Sequence, residues 1–273
     1  MLKTRVITAL VLLAVFLPVT FYASVNAFAV LIALVVVFAA WEWARLLKTG
    51  ARASVVYALC AALALAVSLP VSSLMPASQP LFRAAAIFWV VAVPFILLRK
   101  PTLAQGSWRV FLLLAGLTVL VACWHALVIA REAGVPFVLS LLLLVWLADI
   151  GAYFSGKAFG RHKLAPAISP GKTWEGALGG WLAVLCMALA ASLTHVFEPT
   201  IFSTLAQLGW ARMLAVVTLL VVFSVVGDLF ESVLKRQAGV KDSSGLLPGH
   251  GGVLDRIDAL LPVLPLAMLL LPG

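Results

Sequence analysis

Apolar stretches close to twenty residues long recur throughout this chain of 273 residues, and few folds can hold them. A bilayer core is crossed by roughly twenty apolar residues of helix. Nine segments qualify, at 5–23, 25–46, 54–75, 81–98, 108–130, 135–158, 174–197, 211–236 and 253–271. Only 11% of the residues are charged, where a soluble domain carries about a quarter. No soluble core could hide this much apolar surface, so an all-α polytopic membrane protein is expected, with about nine transmembrane helices. The fourth segment is short and holds Pro94. The first, behind Lys3 and Arg5, has the outline of a signal peptide. Its apolar run is long for one, and a second span follows almost at once, so it is read as a helix.

With nine spans, 16 of the 19 Lys and Arg residues fall on one side, and only Arg83, Arg131 and Arg212 on the other. The positive-inside rule makes the first side cytosolic, with the N-terminus inside and the C-terminus outside. The short basic groups between spans do not form a nucleic-acid footprint. Cys60, Cys123 and Cys186 lie singly in apolar segments, which fits buried thiols rather than a disulfide or zinc framework.

The ten acidic residues are spread unevenly. Seven of them (Asp149, Glu175, Asp228, Glu231, Asp242, Asp255 and Asp258) fall at or near the cytosolic ends of the last four spans. Residues 1–130 therefore read as transmembrane scaffold, and 131–273 as the catalytic region. Asp149, Tyr153, Gly156 and Gly160 share one helical face, where a carboxylate is costly unless paired or bound to a metal or water. The two glycines fit close helix packing better than ligand contact.

Gly171-Lys172-Thr173 has the look of a Walker A tail, but Pro166 stands where that pattern needs glycine and no strand is expected before it. What remains is a basic loop leading into a helix start near Thr173, where free N–H groups favour anions. Farther on, Ser224, Asp228, Glu231 and Lys235 share a face. Glu231 precedes Lys235 by four residues, the favourable order for an ion pair. Asp228 has no basic residue three or four positions away, which makes it the better metal-ligand candidate. A glycine-rich turn, Pro248 to Gly252, then leads to Asp255 and Asp258, three apart at the head of the last helix. Carboxylates from several helices without a Cys or His cluster suggest a hard cation such as Mg²⁺ shared with substrate phosphates. His250 invites a general-base role, but a phosphate nucleophile is already largely ionised at neutral pH, so His250 is read as positioning. Ser232 lacks a base at a defined spacing and is not read as a covalent nucleophile.

Ser232, Lys235-Arg236, Lys241-Asp242, Pro248, His250-Gly251-Gly252, Asp255-Arg256 and Asp258 together resemble the signature of the phosphatidate cytidylyltransferases, or CDP-diacylglycerol synthases. No fixed position of that pattern is departed from over 27 residues. Upstream, Asp149, Tyr153, Gly156, Gly160-Arg161, Ser169-Pro170, Lys172-Thr173 and Glu175-Gly176 are also similar to this family. The resemblance implies that CTP and phosphatidate give CDP-diacylglycerol and pyrophosphate with Mg²⁺, in some members paired with a monovalent cation such as K⁺. It implies metal binding by Asp228, Asp255 and Asp258, and phosphate contacts by Lys235, Arg236, Lys241 and Arg256. The candidate catalytic set is Asp228, Lys241, Asp255, Arg256 and Asp258. Candidate substrate contacts are Lys172, Ser232, Lys235, Arg236, His250, Gly251 and Gly252. Asp149, Tyr153, Ser169, Glu175, Glu231 and Asp242 are expected in support. Homodimers occur in the family, and the compact length suggests a bacterial inner membrane with the site facing the cytosol.

Two other readings compete. A transporter would place its charges near the midplane on broken helices, whereas these gather at one face. A CTP-dependent polyprenol kinase also needs a metal and a basic loop, and only the phosphate that is transferred separates it from the first reading.

Overall fold

The computed structural model describes residues 2–68 and 74–271. Helices α1 (Leu2–Tyr22), α2 (Val25–Leu46) and α3 (Ala51–Ser68) come first. The end of the expected third span falls partly outside the described residues. Then follow α4 (Leu74–Ile87), a π turn (Phe88–Ala92), α5 (Val93–Arg99), α6 (Gly106–Ala133) and α7 (Val135–Phe159). A two-stranded antiparallel hairpin, β1 (Lys163–Ala165) and β2 (Ser169–Thr173), leads into α8 (Trp174–Thr194). The chain closes with α9 (Ile201–Gln207), α10 (Trp210–Ala238), α11 (Leu254–Ile257) and α12 (Leu260–Leu270).

Among the described residues, seven helices are long and apolar enough to cross a membrane, and Val6–Tyr22 adds a shorter apolar stretch. In hydrocarbon every backbone N–H and C=O must be satisfied within the protein, which helices do by themselves. The segment expected as the ninth span is interrupted. Asp258 and Ala259 keep right-handed helical dihedrals, but Pro262 has no N–H to donate to the Asp258 carbonyl, and α12 also contains Pro265. Helix α12 is 11 residues long, about 16 Å, against a core of about 30 Å. From Leu260 to Met268 it is buried all round, packed against α4, α6 and α10. A helix that is apolar on every face belongs in such an interior position.

Proline also shapes the fourth rod. The π turn stands immediately before Pro94, and Val93 donates to the carbonyl of Phe88, five residues back. Widening the helix here accommodates the ring and the missing donor. The same turn presents Phe88 and Trp89 to Phe230 of α10, with ring centroids 5.5 and 5.6 Å away. Trp43 of α2 completes that cluster at 5.7 Å. Its indole donates to the Leu112 carbonyl at 2.9 Å, just as Trp124 donates to Ala29 at 2.8 Å. These two indole N–H groups tie α2 and α6 together.

Helices α7 and α8 meet backbone to backbone. A Cβ at Gly151 would stand 3.0 Å from Gly180 Cα, and one at Gly180 would collide with the Ala148 carbonyl. Gly156 and Gly160 face Thr173 and Gly176 in the same seam, so their expected packing role fits their position. The close approach brings the end of α7 and the start of α8 together around the hairpin.

Gly180→Ala should therefore destabilise the bundle by about 1–3 kcal/mol through overpacking. Gly245→Ala, where a Cβ meets nothing within 4 Å, should leave stability unchanged. Thermal unfolding of the two variants in detergent checks the difference.

Candidate active site

The polar side chains gather where α10 ends and α8 and α11 begin. Along one face of α10, Ser232 donates to Asp228 Oδ1 at 3.3 Å, and Lys235 donates to Glu231. The Glu231–Lys235 pair expected from the spacing is thus present, with Glu231 buried. Lys235 also reaches out of its own helix to Asp255 Oδ1 at 2.7 Å. Asp228, without a basic neighbour along α10, finds one across the gap: Lys172 Nζ of β2 lies 2.6 Å from its Oδ2.

Helix α8 begins where the sequence indicated. Thr173 is the N-cap and accepts from the Gly176 N–H at 3.1 Å. Glu175 in the first turn accepts from the backbone N–H groups of Arg161 and His162, and lies 2.6 Å from His162 Nδ1. It closes the base of the hairpin and borders a separate hollow with Gly160, Arg161 and His162. Its role is local architecture, away from the Asp228–Lys172 pair. Arg236 reaches the same hairpin through the Ile168 carbonyl at 3.5 Å.

The turn between α10 and α11 is held from inside. Asp255 Oδ2 accepts from Ser243 N–H (2.9 Å), Ser243 Oγ (2.9 Å) and Gly252 N–H (2.8 Å). Leu247 N–H donates to the Gly251 carbonyl at 2.8 Å, and Arg256 donates to that of His250 at 2.7 Å. Gly251 has φ +84°, and a Cβ there would lie 2.7 Å from Asp255 Oδ2. At Gly252 a Cβ would overlap Ser243 Oγ. Both positions need glycine, one for its backbone angle and the contact, the other for the contact alone. Thr8 of α1 donates to the Pro248 carbonyl at 2.9 Å, placing the start of the first helix beside this turn. Lys241 and Asp242, also in this turn, are exposed.

An open cleft of about 540 Å³ lies between α7, the hairpin, α8 and α10. Its lining mixes polar side chains, Asp149, Lys157, Ser169, Lys172 and Asp228, with the apolar Ala152, Leu164, Ala177 and Val225, and Tyr153 also borders it. Asp228, Lys172, Asp149, Tyr153 and Ser169 are thus brought to one cavity, while Asp255, His250 and Gly252 belong to the adjoining turn.

Asp228, Asp255 and Asp258 are expected to share a hard cation with substrate phosphates, not to cage it by themselves. Among the described residues no three His, Cys, Asp or Glu side chains converge on one point. The reason is local: both Asp255 oxygens are taken by Lys235, Ser243 and Gly252. Asp228, Asp149 and Asp258 remain close enough to act on one another electrostatically. Among the described residues, buried Glu231 Oε1 has no hydrogen-bond partner. An all-oxygen donor set that already draws Lys172 against Asp228 fits a hard cation, since Mg²⁺ needs only one or two carboxylates beside substrate phosphates.

One residue of this network escaped the sequence reading. Glu42, assigned to scaffold in α2, is fully buried and accepts from Ser243, Ser244, Val253 and Leu254. Its signal was available: it is the only carboxylate within the segment 25–46.

Comparison with known proteins agrees with this layout. The model of the cytidylyltransferase family matches residues 3–272. A phosphatidate cytidylyltransferase from Pseudomonas aeruginosa is 42% identical over 276 aligned positions, covering 99% of this chain and 97% of the relative. Enzymes of the same name match over about half their length. The one from Haemophilus influenzae is 51% identical over 132 residues, 48% of this chain and 44% of the relative. The one from Staphylococcus aureus is 45% identical over 141 residues, 52% of this chain and 51% of the relative. With the family model matched almost end to end on a bundle that gathers its charges at one end, the chain belongs to the cytidylyltransferase family.

Proposed function

We propose that the protein is a phosphatidate cytidylyltransferase, converting CTP and phosphatidate into CDP-diacylglycerol and pyrophosphate. The observation that carries this reading is the cleft itself. Its lining combines the Lys172–Asp228 pair with apolar side chains, which suits a lipid with a phosphate head. The near full-length likeness to the Pseudomonas aeruginosa enzyme of that name supports it.

In the reaction a phosphatidate oxygen forms a bond to the α-phosphorus of CTP while the bond from that phosphorus to the β-phosphate bridging oxygen breaks. The electron pair leaves with pyrophosphate. The nucleophile is already an anion, so no general base is required. The protein's task is to bring two anions together and hold the charge of the leaving group. Lys172 and Lys235 stand against carboxylates, and Arg236, Lys241 and Arg256 would take the remaining phosphate oxygens. When phosphate oxygens arrive, Lys172 can exchange Asp228 for them.

Asp228, with Asp149 and Asp258 near it, would hold the Mg²⁺ ion, and Asp255 would act by fixing Lys235 and the turn. Bound there, the ion would neutralise charge on the triphosphate. Ser232 orients the Asp228 carboxylate. On the positive-inside rule this end of the bundle faces the cytosol of a bacterium, across its inner membrane. CTP then arrives from water and phosphatidate sideways from the leaflet.

Purified protein given CTP and Mg²⁺ should release pyrophosphate only when phosphatidate is present, one per lipid consumed. Release without lipid, or none with it, would contradict the proposal. Asp228→Asn and Asp255→Asn should each lower kcat/KM by at least about a hundredfold, as expected for lost charge positioning. Both variants should insert and purify normally. Near-normal turnover in both would remove the site from where it is drawn here.

A further inference from the structure

We propose that Glu42 is a positioning residue for the reaction, acting from α2 through the turn that joins α10 to α11. The inference rests on reading that turn as part of the reaction site.

Glu42 has no solvent exposure and is absent from the lining of the cleft, so it does not meet substrate there. Its contacts lie some two hundred residues away in sequence. Oε1 accepts from the Ser244 hydroxyl and from Val253 N–H at 3.0 Å. Oε2 accepts from the Ser243 hydroxyl at 3.0 Å and from Leu254 N–H at 2.6 Å. A buried carboxylate is costly unless its lone pairs are met. Here two backbone N–H groups and the Ser244 hydroxyl donate to it, and the one Ser243 hydroxyl proton is shared between it and Asp255. Two of the donors are backbone N–H groups at the start of the final helical segment, which has no earlier turn to accept them.

The link to the site is a shared hydroxyl. Ser243 Oγ lies 3.0 Å from Glu42 and 2.9 Å from Asp255, and Asp255 in turn holds Lys235 at 2.7 Å. Glu42, Ser243, Asp255 and Lys235 form one connected row from the scaffold to α10. Gly252 lies inside it, where a Cβ would overlap both Ser243 and Glu42. Displacing the carboxylate therefore releases the first turn of α11 and the register of Asp255 together.

Glutamine is the informative substitution. Each Glu42 oxygen receives one hydroxyl and one backbone N–H, and a backbone N–H cannot become an acceptor. Whichever way the substituted amide points, its NH₂ group faces a donor. In Glu42→Gln, kcat should fall by about a hundredfold, the scale of a small misplacement of reacting groups. KM for CTP and for phosphatidate should stay within about threefold, because the change acts on the transition state rather than on binding. Hydrogen exchange should quicken about tenfold or more at Ser243 and across 252–254, while α6 and α10 keep their protection. Ser244→Ala, a mild change on the turn side, should shift both readouts the same way, and its combination with Glu42→Gln should be non-additive.

Wild-type kcat with unchanged exchange at the turn would overturn the proposal. So would faster exchange across the whole bundle, which would mark Glu42 as a general stabiliser. If Glu42→Gln yields no protein, Ser244→Ala decides by the same two readouts. Wild-type protein that failed to consume CTP with phosphatidate would refute the functional reading, while the exchange data would still test the anchoring of the turn.

Discussion

The site depends on a glycine-rich turn being held in one shape, and the Asp255 carboxylate is what holds it. A turn with Gly249, Gly251 and Gly252 has little conformational preference of its own. Asp255 draws in Ser243 and Gly252 with one oxygen and Lys235 with the other, joining the turn to α10. Through Lys235 the same contact reaches Glu231, so five charged or polar groups become one unit. Such a unit is stable in an apolar surrounding only when each partner is present, which couples its members closely.

The apolar bundle sets where this unit can lie. Glycine seams allow α7 and α8 to touch, and that contact carries the hairpin with Lys172 to the side of Asp228. The buried final helix, stacked against α4, α6 and α10, fixes the height of Asp255 and Asp258. Water-soluble and lipid substrates can meet only at such an edge, where charged and apolar side chains line one cleft. Catalysis by placing charges requires little more than rigid supports for them.

Much of this is legible in the residues. The one-sided gathering of Asp228, Glu231, Lys235, Asp255 and Asp258, the Glu231–Lys235 pair and the cap at Thr173 all follow from local spacing. Contacts between distant segments do not. Nothing along α10 announces that Lys172 will pair with Asp228, and nothing near residue 243 points to Glu42. The hairpin at 163–173 is hidden because its short strands carry charge and proline rather than an alternating apolar pattern. The break in the last helix follows from Pro262, whose effect is masked by an otherwise continuous apolar run. Metal binding by Asp255 is implied by the family resemblance alone, whereas the donors around its oxygens, Lys235, Ser243 and Gly252, are brought there only by the folded turn.

Cytidylyl transfer at this site is tested most directly by following the phosphates of CTP separately. Protein in phosphatidate micelles would receive CTP labelled at the α or at the γ position, with and without Mg²⁺. The account predicts α-label in the lipid fraction, γ-label in pyrophosphate, and neither movement without the metal. Appearance of γ-label in lipid would contradict it and identify a CTP-dependent lipid kinase instead.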